Sequence, residues 1–357
     1  MAGLGIYLSA NVYLFIRLWQ AIAPLPLWCR VLFTTLFWLA AAAMFIAIGA
    51  RNIPACEALN RTLFNVGSVW MVFLLYMVLT TVLTDVAHLV FPEFKHGVWY
   101  ALGITAALLA YGNYNYHHPR ITSLNITTSK PIEGDLRIAA LSDVHLGYGT
   151  DKEMLRRYVK LINREHPDIV VIVGDLIDNS TYSVVEAHME DELRQIEAPL
   201  GIYMVAGNHE YISDIGACEE FIAKTPITLL RDSIKPVTDG VSIIGRDDRI
   251  NRQRKPLAEL MQDTDPATFK VVLDHQPNSI VESCEAGIDL HLSGHTHRGQ
   301  VWPISWLTDA LFEQSHGHRR WDRTDAYVMQ GLSLWGPPFR IGTESELLIV
   351  NVKAGKE

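Results

Sequence analysis

The chain has 357 residues, more than one hydrophobic core usually organises, so its parts are read separately. With 49% hydrophobic and 19% charged residues, a greasy region is being averaged with an ordinary one. The formal net charge of -9 excludes nucleic acid as the main partner, because phosphate backbones are bound by clustered Lys and Arg, and it fits cation binding better. Cys29, Cys56, Cys218 and Cys284 are widely spaced, with no CxxC pair and no disulfide framework.

The greasy region is the first third. A membrane-spanning helix needs about 20 apolar residues, and two uncharged runs meet this: Val31 to Ala50 and Phe64 to Leu83. A third, Val98 to Tyr114, is shorter but carries Trp99, Tyr100, Tyr111 and Tyr114 at its ends, as an interfacial aromatic belt would. The first run, Gly5 to Ala23, is interrupted by Arg17 and reads either as a span with a snorkelling Arg or as an interfacial helix. No basic segment precedes it, which argues against a cleaved signal peptide. The reading is a membrane region with three to four transmembrane helices over residues 1–118 and a second domain over 119–357, the boundary falling between Tyr114 and Thr122.

Arg17 and Arg30 on one side balance Arg51 and Arg61 on the other, so loop charge does not set the orientation. An uncharged N-terminal segment points to an outside start, which with four spans puts the second domain on the outer face of the membrane.

From Leu136 short apolar runs alternate with helical patterns, the signature of a layered α/β domain. Five predicted strands each end in a polar cluster. RIAAL runs into Asp143-Val144-His145, DIVVIV into Gly174-Asp175-Leu176-Ile177-Asp178, and IYMVA into Gly207-Asn208-His209-Glu210. KVVL precedes Asp274-His275, and DLHLS precedes Gly294-His295-Thr296-His297-Arg298-Gly299. Ligands gather at the carboxyl edges of such sheets. The one-residue spacing of Asp143 with His145, and of His295 with His297, predicts extended backbone that points both side chains one way. Between the first two strands, Leu155, Tyr158, Val159 and Ile162 recur at helical spacing and belong to the core.

Each cluster alone has an ordinary reading. A single DxH or GDxxD is commonly a solvated turn. GNHE is a less usual choice for a plain loop, and two His between glycines in GHTHRGQ look like ligands. Their joint, ordered occurrence is far more specific than any member.

Together these blocks resemble the calcineurin-like metallophosphoesterase superfamily, whose ordered motifs are DxH, GDxxD, GNH[DE], a lone His and GHxH. The resemblance spans Leu136 to Val352, including the closing GLSLWGPPFRIGTESELLIV, similar to that of membrane-associated bacterial members, and leaves out the first third. It implies a layered β-sandwich flanked by helices and a multi-pass protein of the plasma (inner) membrane. It further implies that Asp143, His145, Asp175 and His297 hold one divalent metal, and Asp175, Asn208, His275 and His295 a second, with Asp175 bridging. Carboxylate, imidazole and amide ligands suit Mn²⁺, Fe²⁺ or Zn²⁺ better than Ca²⁺. Two such ions would activate a bridging hydroxide and brace the phosphoryl oxygens. His209 is then the candidate proton donor to the leaving oxygen, with Asp178 or Glu210 orienting its neighbours.

The implied activity is hydrolysis of a phosphomonoester, phosphodiester or pyrophosphate; the alternative is a metal-binding or protein-interaction module that has lost its chemistry, although this chain lacks none of the motif residues. After the GHxH motif, the apolar segment Val301 to Phe312 reads either as core or as a membrane-facing lip that would admit a lipid-linked substrate. The basic run Arg246 to Lys255 reads either as a solvated loop or as a site for headgroup or substrate phosphate.

Overall fold

The computed structural model describes residues 2–50, 57–262 and 264–355; Arg51 and Cys56, used above, lie outside them. The chain divides into two compact units, Met1–Asn115 with Gly336–Ile341, and Tyr116–Trp335 with Gly342–Glu357.

The first unit is built from four helices among the described residues: α1 (Ala2–Ala21), α2 (Leu27–Ala50), α3 (Glu57–Val90) and α4 (Gly97–His117). The segments Leu27–Ala50 and Ala58–Val90 are long and apolar enough to cross a membrane. Gly67 lets α3 approach α2 closely, since a Cβ there would lie 2.3 Å from the backbone nitrogen of Met44. Arg17 does not sit alone: it pairs with Asp85 of α3, which also accepts from the Tyr13 hydroxyl at 2.8 Å. A charge flanked by apolar helices is stabilised by such a partner. The Gly336–Ile341 segment is held by polar contacts, with Arg340 N donating to Gly112 O at 2.9 Å and Asn113 Nδ2 to Pro338 O at 3.1 Å.

The second unit contains two six-stranded sheets. In chain order the strands are β1 (Arg120–Thr128), β2 (Leu136–Leu141), β3 (Ile169–Val173), β4 (Ile202–Val205), β5 (Ile227–Leu230), β6 (Ser233–Thr238), β7 (Val241–Gly245), β8 (Phe269–Leu273), β9 (Leu290–Ser293), β10 (Gly317–Trp321), β11 (Thr324–Val328) and β12 (Glu346–Ala354). The first sheet runs β1-β12-β2-β3-β4-β5, parallel except for the β12–β2 pair, and the second runs β10-β11-β9-β8-β7-β6 with a parallel centre.

Alternation places one face of each strand between the sheets. Ile138, Ala140, Val171 and Val173 meet Ile243, Val271 and Leu292 there, while Ala139, Leu141, Val170 and Ile172 face a helical layer. Strands buried on both faces must be apolar throughout, which is why these runs were legible. The helix α5 (Lys152–Arg164) covers the first sheet with Leu155, Tyr158, Val159 and Ile162, and starts where the Asp151 side chain accepts from Met154 N at 2.8 Å.

Candidate active site

All five polar clusters follow the carboxyl ends of β2, β3, β4, β8 and β9, so the two sheets both contribute to one edge. The expectation of extended backbone at the ligand pairs is not met. Asp143, His145, Asp175, His295 and His297 all have left-handed backbone, with φ of 56°, 50°, 54°, 72° and 47°. These residues lie beyond the strands, in loops whose turns, rather than strand alternation, bring the side chains together. The first two loops run side by side, Asp143 N donating to Gly174 O at 3.1 Å and His145 N to Asp175 O at 3.0 Å. Nor do His295 and His297 point one way: His295 groups with Asp175 and His275, His297 with Asp143 and His145.

In the first group, Nε2 of His145 and Nε2 of His297 are 3.2 Å apart, and Nε2 of His297 is 3.5 Å from Oδ1 of Asp143. Oδ2 of Asp175 lies 3.9 Å from Nε2 of His145. The same oxygen lies 3.1 Å from Nε2 of His275 in the second group, which in turn is 3.2 Å from Oδ1 of Asn208. The ring of His295 is 5.1 Å from that of His275. Asp175 therefore faces both groups.

These atoms fit divalent cations. Nδ1 of His275 is 2.9 Å from the Val173 carbonyl and must donate to it, so in the neutral ring Nε2 offers a lone pair toward two oxygens. Burial disfavours charge on His275, yet Asp175 raises its pKa well above 6.5; burial likewise opposes charge on Asp175, yet His275 holds its carboxyl well below the usual range. The spot demands positive charge. His145, by contrast, is held neutral because burial lowers its pKa well below 6.5, which leaves its ring free to act as a ligand.

The motif glycines make room for this packing. A Cβ on Gly207 would lie 2.2 Å from Oδ1 of Asp175, and one on Gly294 would lie 2.5 Å from Oδ2 of Asp143. Gly174 combines both demands, with φ 79° and a virtual Cβ 2.4 Å from Nδ1 of His275.

His209 lies in the first turn of the short helix Asn208–Ile212, and its Nδ1 is 3.1 Å from Oδ1 of Asp178. Burial lowers the His209 pKa, but Asp178 together with Asp175 and Glu210 outweighs this and raises it to about 9. Its ring lies edge-on 4.6 Å from that of His145 and 6.2 Å from Trp335. Glu210 is fully buried and ties two loops together: Oε2 accepts from Gly207 N at 2.7 Å and Asp175 N at 3.0 Å, and Oε1 from Ile177 N at 2.9 Å. It thus orients Asp175 through the backbone.

Two neighbours escaped the sequence reading. Trp335 stands in the closing GLSLWGPP segment with no motif spacing to mark it, and Phe312, at the end of Val301 to Phe312, places its ring 6.5 Å from that of His295. The apolar segment Val301 to Phe312 is mostly exposed beyond Val301. Trp306, Leu307 and Leu311 are 65%, 58% and 72% exposed, and Trp302 packs edge-on against Trp306.

A family model for calcineurin-like phosphoesterase matches residues 136–299. An uncharacterized metallophosphoesterase from Helicobacter pylori is 31% identical over 259 residues, 69% of this chain and 68% of the relative. A transmembrane protein with metallophosphoesterase domain from Danio rerio is 32% identical over 71% of this chain, which spans 62% of that relative. Among solved structures, a putative 5'-nucleotidase from Staphylococcus aureus aligns with 62% of this chain and 55% of its own at a TM-score of 0.38 and 16% identity. The ordered motifs and the relatives agree: the chain belongs to the calcineurin-like metallophosphoesterase family.

Proposed function

We propose that the protein is a membrane-anchored phosphoester hydrolase that works with two divalent cations. One would be held by Asp143, His145, Asp175 and His297, the other by Asp175, Asn208, His275 and His295. The observation that carries this reading is Oδ2 of Asp175, which faces His145 on one side and His275 on the other. When bound, such a pair of ions supplies a nucleophile at neutral pH and offsets charge on the phosphoryl oxygens.

The protein's own residues do the rest. Glu210 and the glycine-lined loops hold the ligand atoms in place before substrate arrives. His209, with Nδ1 occupied by Asp178, presents Nε2 as the nitrogen that carries a proton to the leaving oxygen. Trp335 covers one side of that ring.

The apolar helices of the first unit support anchoring in the membrane as a multi-pass protein, and the uncharged N-terminal segment favours placing the second unit on the outer face. The exposed Trp302, Trp306, Leu307 and Leu311 support a lip that meets lipid, so a lipid-linked phosphomonoester, phosphodiester or pyrophosphate is the favoured substrate.

The test is Mn²⁺-dependent hydrolysis of an aryl phosphodiester and an aryl phosphomonoester by detergent-purified protein, alongside Asp175→Ala and His209→Ala. Turnover abolished by Asp175→Ala supports the reading. Absence of turnover by wild type with two metals bound per chain counts against it.

A further inference from the structure

The basic run Arg246 to Lys255 joins β7 to the rest of the second sheet at the same carboxyl edge that carries His275, one strand away. Its backbone is tied to β8, with Arg246 N donating to Leu273 O at 3.0 Å, and Asp248 accepts from Gln276 Nε2 at 2.9 Å. Between this run and the segment after His275 lies a cleft of about 540 Å³ lined by Arg246, Arg249, Arg252, Arg254, Lys255 and Asn278, among others.

The cations there are not equivalent. Arg246 is buried and pairs with Glu282, and Arg254 donates to Asp274 at 3.1 Å, so both are structural. Lys255 lies 3.9 Å from Glu259, an exposed and weak pairing. Arg249 and Arg252 are exposed and have no hydrogen bond or ion pair among the described residues. Of the five cations in the lining, Arg249 and Arg252 are thus left without a carboxylate partner among the described residues, on a chain whose net charge is -9. A concave surface with unpaired guanidinium groups above neutral Asn278 and Ser279 suits a phosphate, which guanidinium can bind in a bidentate manner.

We propose that this cleft binds a phosphate group other than the one being hydrolysed. Asn278 also lines a smaller cavity of about 200 Å³ with Leu311, Phe312 and Val281, and Phe312 is the residue beside His295. Asn278 thus lines both the cleft and a cavity whose Phe312 stands beside His295. The group bound is either a second phosphate of the substrate or the headgroup of an anionic lipid. Its role rests on the phosphoesterase reading, but its binding does not.

Hydrogen–deuterium exchange of the full chain in nanodiscs, with metals removed by EDTA, tests this apart from turnover. Three proteins are compared: wild type, Arg249→Ala/Arg252→Ala, and Arg249→Lys/Arg252→Lys. The first arm adds inorganic phosphate in phosphatidylcholine discs; the second replaces part of the phosphatidylcholine with phosphatidylglycerol and adds no phosphate. Exchange in 246–256 slowed about threefold or more by inorganic phosphate, lost in the alanine variant and weakened but still present in the lysine variant, which keeps the charge without the guanidinium fork, supports a substrate phosphate. The same pattern with phosphatidylglycerol alone supports a headgroup. Unchanged exchange of 246–256 in both arms, or slowing that survives the alanine changes, overturns the proposal. Unaltered exchange over α5 certifies that each variant is folded.

Discussion

Nδ1 of His209 lies 3.1 Å from Oδ1 of Asp178, which leaves Nε2 as the ring nitrogen that this carboxylate does not engage. A proton donor must be protonated, so activity falls as pH rises through the His209 pKa. Asp178, together with Asp175 and Glu210, raises that pKa against the effect of burial. In Asp178→Asn the alkaline limb of kcat against pH for an aryl phosphodiester moves to lower pH, and in His209→Ala kcat falls by about 10² to 10⁴ with both metals retained. A limb that stays in place in Asp178→Asn would sink the role given to this contact.

Gly207→Ala places a methyl group 2.2 Å from Oδ1 of Asp175, a separation that real atoms do not tolerate. Asp175 must move, and it is the side chain that faces both groups of ligands. The variant is expected to bind fewer than two Mn²⁺ per chain by elemental analysis and to lose most activity. Metal removal from wild type by EDTA should abolish turnover and lower Tm, since ions bound only by the native state stabilise it. Two ions per chain in Gly207→Ala would refute the placement.

Trp302 and Trp306 pack against each other in the exposed part of the segment Val301 to Phe312. Replacing both with Ser is expected to raise KM for a phospholipid substrate in mixed micelles by about tenfold, about 1.4 kcal/mol, while leaving a soluble aryl phosphodiester nearly unaffected. Equal losses on both substrates would remove the lip from the argument.

His291 supplies an acid-sensitive element remote from activity measurements. Ser293 Oγ donates to the Asp274 carbonyl at 2.6 Å, so Nε2 of His291 must donate to that serine at 2.8 Å, leaving Nδ1 to accept from Ser283 at 2.7 Å. Burial lowers its pKa from 6.5 to about 4, and Arg246 and Arg254 add to the effect against Asp274. The unfolded chain therefore binds a proton that the native state rejects between these values. Stability is complete above about pH 6.5 and declines as pH falls through about 4, by about 3 kcal/mol. Denaturant titrations between those limits should show a shallower acid loss in His291→Gln, beneath a lower stability at neutral pH. An unchanged slope would mean that other groups dominate.

How much of this was readable without coordinates depends on where each constraint originates. The strands leading to Asp143, Asp175, Asn208, His275 and His295 declared themselves because residues such as Val171 and Ile172 are buried on opposite faces. β6 did not, because Ser233–Thr238 is only partly covered and carries Pro236. β1 pairs in parallel with β12, whose partner residues lie more than two hundred positions away, and nothing local encodes that register. The partner of Arg17 was hidden for the same reason, Asp85 being 68 residues distant on another helix. The motifs named the side chains that the fold brings together, whereas their left-handed backbone did not show, since it arises from how neighbouring loops pair.

That backbone has a chemical corollary. Among residues other than glycine, Asn, Asp and His enter the left-handed region most readily, and β-branched or bulky side chains rarely do. At Asp143, His145, Asp175, His295 and His297 the main chain acts as a filter on which donors the site can carry, before any ion is chosen. A short oxygen donor or an imidazole passes. Lengthening a donor by one methylene, as in Asp175→Glu, both overshoots the centre and forfeits that conformational allowance. Exchange among Asp, Asn and His is thus the narrow corridor through which the metal preference of this scaffold can be retuned.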